Sequence, residues 1–147
     1  IADKRGDAEY QIIDIAEFKL PLLGEAGVDA SGAAAWSTQI NGCDGFVFIV
    51  QEYNHSITGA LKNALDYLGK EWQGKPAAYI GYGATNGSRS IDQIRQVGTQ
   101  LGLVDSNAVI EIRDIFSRNK TEEFEPNEFD EKMLTSVLDK LIQYVSA

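Results

Sequence analysis

Strand-like and helix-like runs alternate along this chain, and that alternation constrains its fold more than any single motif does. FVFIV (46–50), PAAYIG (76–81) and AVIEI (108–112) are short and almost wholly apolar, the pattern of strands buried on both faces of a sheet. EYQIID (9–14) reads as a further strand ahead of them, followed by an irregular stretch that Pro21 stops. Between the strands lie runs of helical period. A short helix is expected over 33–41, carrying Trp36 and Ile40. Ile57, Ala60, Leu61, Ala64, Leu65 and Leu68 form one apolar stripe behind Ser56, which reads as its N-cap. A third helix carries Ile91, Ile94, Val97 and Leu101, with Ser88 or Ser90 as its cap. A charged connection over 113–126 leads to a closing helix over 127–145, with Phe129, Met133, Leu134, Leu138, Leu141, Ile142 and Val145 inward. Strands alternating with helices predict a parallel sheet with helices on both faces, in one α/β domain over 1–147.

In such a sheet, ligands bind beyond the carboxyl ends of the strands. Two connections there are richer than a turn requires. Glu52, Tyr53 and Asn54 follow FVFIV and offer backbone N–H groups, an aromatic ring and an amide, with a helix N-terminus behind them. That combination suits a flat, hydrogen-bonding ring that takes on negative charge, as a reduced flavin does. YGATNGSR (82–89) follows the next strand. Gly83 and Gly87 let backbone approach a ligand, and Thr85 and Asn86 add polar groups. Two polar connectors would look the same from pattern alone. GYGATNG lacks the G-x-G-x-x-G spacing of a dinucleotide loop.

Composition excludes several alternatives. A net charge of −9 opposes a nucleic-acid or anionic-membrane surface, where basic residues supply the affinity. One cysteine, Cys43, leaves no internal disulfide and fits a reducing, cytoplasmic setting. One cysteine and one histidine make a zinc site improbable, and no apolar run approaches membrane-spanning length. No G-x-S-x-G elbow is present, which weakens a hydrolase reading. Cys43, Trp36 and Trp72 read as packing residues, and His55 and Arg95 as solvated ones. Tyr82 at its strand end serves either the core or a site. The opening IADKRGD has the character of a helix's last turn, so the natural protein is expected to begin before Ile1.

EYNHSITGALKNALDYL and WQGKPAAYIGYGATNGSRSIDQIRQV together closely resemble the NADPH-dependent FMN reductases, flavodoxin-like enzymes related to quinone, chromate and azo-dye reductases. A Pro-Glu-Tyr-Asn loop, a Ser-x-x-Gly-x-Leu-Lys-Asn-Ala helix start and a glycine-rich loop recur there in this order. The resemblance implies a flavodoxin-like fold, FMN as cofactor and NADPH or NADH as electron donor. It also implies a quinone-like, azo or free-flavin acceptor and a homodimer or homotetramer. By the same resemblance, Glu52, Tyr53 and Asn54 match the loop that holds the isoalloxazine ring, and Ser56 the helix cap. Tyr82, Gly83, Ala84 and Gly87 match the second flavin-side loop. Tyr53 is expected to wall the ring or the acceptor, and Arg89 to meet the dinucleotide's phosphates. Hydride chemistry belongs to the flavin, so no side-chain acid or base is implied. Two departures stand out. Gln51 occupies the place of the family's proline, and the family's first strand with its Gly-Ser-x-Arg phosphate loop has no counterpart in residues 1–147. The rival readings are a non-enzymatic flavodoxin-type electron carrier and a flavin-free interaction subunit.

Overall fold

The structure is a computed structural model and describes residues 1–119 and 124–147. Three parallel strands form its sheet: β1 (Phe46–Gln51), β2 (Pro76–Tyr82) and β3 (Val104–Ile112), in the order β1-β2-β3. β1 runs in register with β2 from Phe46 beside Ala77 to Gln51 beside Tyr82. β2 pairs with β3 from Pro76 beside Val104 to Tyr82 beside Ile112, with an irregularity between Ala77 and Tyr79. There β3 bulges, and Asn107 takes a φ of 54°. Between and after the strands come α1 (Gly32–Asn41), α2 (Gly59–Asp66), α3 (Ser88–Leu101), a short α4 (Ile115–Arg118) and α5 (Glu128–Val145).

One face of the sheet carries an aromatic core. Trp36 of α1 and Trp72 after α2 meet edge to face at 6.0 Å, and Phe46 of β1 meets Trp72 at 5.1 Å. Both tryptophans are buried and satisfied: Trp36 Nε1 donates to Ala64 O, and Trp72 Nε1 to Leu65 O. These bonds tie the last turn of α2 to α1 and to the segment that follows it. Ile91 and Ile94 of α3 join the same core. The other face is covered by α5, whose Val137 and Leu141 pack on Ala78, Ala108 and Ile110.

Several expectations change. Residues 9–14 form no strand: no ladder joins them to the sheet, and Ile12 is 97 % exposed. An apolar alternation makes a strand only where a neighbour supplies hydrogen bonds. Ile13 and Ile15 turn toward the core, and Asp14 caps a single 3-10 turn over Ile15–Phe18. β1 is not buried on both faces. It is a sheet edge, and Ile49 is 65 % exposed because α5 packs on β2 and β3 only. Thr58, not Ser56, caps α2, its Oγ1 accepting from Leu61 N at 3.2 Å. Neither Ser88 nor Ser90 caps α3. Gly87 takes that position, and Ser88 Oγ and Ser90 Oγ donate back to Thr85 O and Gly87 O. In the closing helix, Phe129 and Val145 face solvent, while Asp130 is buried. Asp130 and Asn127 form a capping box, and Arg118 pairs with the Asp130 carboxylate. Of the 113–126 connection, residues 120–123 lie outside the described residues. Arg95 is not simply solvated: its guanidinium lies 5.6 Å over the Tyr79 ring and pairs with Asp105 at 2.9 Å.

Candidate functional site

The two polar loops lie side by side, because β1 and β2 are adjacent and in register to their ends. The ladder continues one step past the strands, where Glu52 N donates to Tyr82 O at 2.8 Å. After Glu52 the chain folds back on itself. Tyr53 N donates to Ser56 O at 2.9 Å and Ser56 N to Tyr53 O at 3.1 Å. The two residues between them, Asn54 and His55, have φ of 48° and 74°. Two successive positive φ values define a primed, hairpin-type turn, which asparagine tolerates well and histidine adopts at a cost. Residues 53–56 are therefore a closed two-residue turn with one residue on each side, and Ile57, which follows it, is buried.

This turn reassigns the backbone donors. The N–H groups of Glu52 and Tyr53 are bound within the protein. Among the described residues, those of Asn54, His55, Gly83, Ala84 and Thr85 have no protein acceptor. They stand on the facing loops at the carboxyl end of the sheet. Tyr53 is 61 % exposed beside them. Tyr82 is half-buried and packs with Ile112 on the α5 side, so it serves the core as much as the site. Gln51 ends β1 with an exposed side chain.

The glycine-rich loop is shaped by contact. Gly83 has a φ of 148°, and a Cβ there would meet the Glu52 Cβ at 2.8 Å. Gly87 has a φ of 80°, and a Cβ there would sit 2.2 Å from the nitrogen of Tyr82. Both glycines therefore serve the closing of the loop against β1 and β2. Glu52 then reaches across. Its Oε2 accepts from Thr85 Oγ1 at 2.5 Å and from Arg89 N at 3.3 Å, while Arg89 approaches Oε1 at 3.5 Å. The Glu52 side chain is only 6 % exposed, and that of Arg89 46 %. Thr85 was recognised in the sequence only as a polar group. The tie between Thr85 and Glu52 was missed, because 33 residues separate them.

The free donors fit a planar ligand with carbonyl or ring-nitrogen edges, so the residues present suit the ring of a flavin. Two open grooves among the described residues lie away from these loops. One, of about 260 Å³, runs between β3 and α5, and the other, of about 570 Å³, between the 3-10 turn at 15–18 and α1. Cys43 is half-buried with its Sγ donating to Gln39 O, and no cluster of potential metal ligands occurs among the described residues. No described helix is long and apolar enough to cross a membrane.

A parallel sheet with helices on both faces and two donor-rich loops at its carboxyl end defines the flavodoxin-like class. Residues 1–114 match the profile of the NADPH-dependent FMN reductases, and the chain belongs to that family. It is 35 % identical over 97 residues to an NAD(P)H-dependent FMN reductase of Schizosaccharomyces pombe, spanning 60 % of this chain and 48 % of that one. It is 41 % identical over 104 residues to an NAD(P)H:quinone oxidoreductase of Solanum tuberosum, spanning 65 % and 52 %. The chain thus spans about half the length of these curated relatives. In fold it superposes on the flavoenzyme NAD(P)H:(acceptor) oxidoreductase FerB of Paracoccus denitrificans, with a TM-score of 0.76 at 23 % identity, covering 96 % of this chain and 82 % of that one.

Proposed function

We propose that this chain carries the flavin-ring site of an NAD(P)H-dependent oxidoreductase. In this reading it binds FMN and passes electrons to quinone-like, azo or free-flavin acceptors. The observation that carries the reading is that the N–H groups of Asn54 and of 83–85 have no protein acceptor among the described residues, on two adjacent loops of a chain that belongs to the NADPH-dependent FMN reductase family. Bound FMN would supply the hydride chemistry. The chain's own residues bind and orient the ring. The N–H groups of Asn54, Gly83, Ala84 and Thr85 meet its polar edge. Tyr53, exposed at the rim, walls the ring or the acceptor. Gln51 and Ser56 brace the turn from its two sides, and the N-terminus of α2 lends partial positive charge behind it. Gly87 holds the second loop close to β2. Arg89 keeps half its surface free for the dinucleotide's phosphates. A single domain over 1–147, a cytoplasmic location and assembly into a homodimer or homotetramer complete the reading.

An FMN titration of the 147-residue chain, read by flavin fluorescence quenching and the visible spectrum, tests it. Saturable quenching near one FMN per chain supports it, and bleaching of the bound flavin by NADPH then favours the reductase over an electron carrier. No binding removes the flavin reading.

A further inference from the structure

Gly87 is the N-cap residue of α3, and a glycine has no side chain with which to cap a helix. Contact with β2 rules out any larger residue there, since a Cβ would come within 2.4 Å of Gly81 C as well. The cap comes instead from the opposite loop. Glu52 Oε2 takes the N–H of Arg89, the second residue of α3, while holding the Thr85 hydroxyl, and Oε1 faces the Arg89 guanidinium. A carboxylate at a helix N-terminus is favoured by the helix dipole, and bonds to an ionised acceptor are the stronger kind.

We propose that Glu52 is a positioning residue for the ring site: its one buried carboxylate fixes the gap between the 51–56 and 83–89 loops and sets where Arg89 stands. This rests on the flavin reading above and deepens it. With Glu52 in place, the N-terminus of α3 is already filled by the protein's own negative charge. A ligand's phosphate is therefore received by the outer edge of Arg89 and not by the helix end. The two duties of Glu52 are separable by chemistry. A glutamine keeps one acceptor for Thr85 and the Arg89 N–H, but turns an NH₂ group toward the guanidinium, which has no acceptor to offer it. Glu52→Gln therefore preserves the gap and releases Arg89. Thr85→Val does the reverse, loosening the gap while leaving the Arg89 pair. Glu52→Ala removes both.

Hydrogen exchange at Asn86, Ser88 and Arg89 in the flavin-free chain reads the loop tie directly. FMN affinity by fluorescence quenching, and kcat and KM for NADPH, read its consequences. Exchange at these amides is expected to rise about ten-fold in Glu52→Ala and less in Thr85→Val, and to stay near wild type in Glu52→Gln. The FMN Kd is expected to rise about ten-fold in Glu52→Ala and about three-fold in Thr85→Val, as loss of charge-assisted and ordinary hydrogen bonds implies. Glu52→Gln should leave the FMN Kd within about two-fold and raise KM for NADPH several-fold at constant kcat. Wild-type exchange and wild-type FMN Kd in Glu52→Ala would overturn the proposal. If the wild-type chain binds no FMN, the flavin reading fails on its own, and the exchange comparison still decides whether Glu52 ties the loops.

Discussion

The α-carbon of Gly87 lies so near Tyr82 that a methyl group on it would come 2.2 Å from the Tyr82 nitrogen. Its φ of 80° is also one that side chains disfavour. Gly87→Ala therefore meets two penalties at once, and it is expected to destabilise the fold by about 3 kcal/mol or more. Urea unfolding followed by circular dichroism checks this. Ala84→Gly, in the same loop without such a contact, is the control and should stay within about 1 kcal/mol of wild type.

The cap of α2 makes a discriminating pair. Thr58 Oγ1 accepts from Leu61 N, whereas Ser56 is engaged through its backbone with Tyr53. Thr58→Ala is expected to lower stability by about 1 kcal/mol, and Ser56→Ala by a few tenths at most. Equal losses in thermal melts would return the cap to Ser56.

Asn54 bears on binding more than on folding. Its amide stands exposed at the apex of the turn and makes no protein hydrogen bond among the described residues. Asn54→Leu is expected to weaken FMN binding about ten-fold, the size of one good hydrogen bond to a buried ring edge. Asn54→Gly keeps the positive φ and separates the amide's contribution from the turn's. Unchanged FMN affinity in both variants would remove the Asn54 side chain from the site.

Asp130 ties stability to pH. Burial pushes its carboxyl pKa up, but the Arg118 guanidinium and the Asn127 N–H more than offset this and hold it below the usual value. A group depressed on folding stabilises above its unfolded pKa, near 4, and that stability is lost as pH falls through the folded value. Wild type should therefore lose part of its stability below about pH 4 through this group. Asp130→Asn, which leaves the Arg118 charge unpaired, should be less stable by about 2 kcal/mol at pH 7. It should also show a shallower acid slope in unfolding free energy measured from pH 7 to pH 3.

The sequence made the strands 46–51 and 76–82 legible because continuous apolar runs bounded by turn residues have few other solutions. It misled at 9–14, since alternation reports what a segment's side chains prefer and not whether a neighbouring strand is there to pair with. It also overstated the burial of β1, where Ile49 has the same character as Val50 but faces the side α5 does not cover. The position of the two polar loops was legible, because the order of strands and helices put both at one end of the sheet. Its internal wiring was not. Asn54 and His55 fold into a tight turn that takes Tyr53 N out of use, and no local spacing announces this. Asn63 of α2 makes a tie of the same long-range kind. Its side chain holds Pro21 O and Leu23 N, fastening the 21–23 segment to α2.

Because α3 borrows its cap from the end of β1, the two loops form one inheritable unit. Loss of the acceptor at position 52 would leave Thr85 Oγ1 and Arg89 N unpaired together. Grafting the glycine-rich loop into another scaffold would likewise fail to reproduce its shape unless a side-chain acceptor at the place of Glu52 came with it.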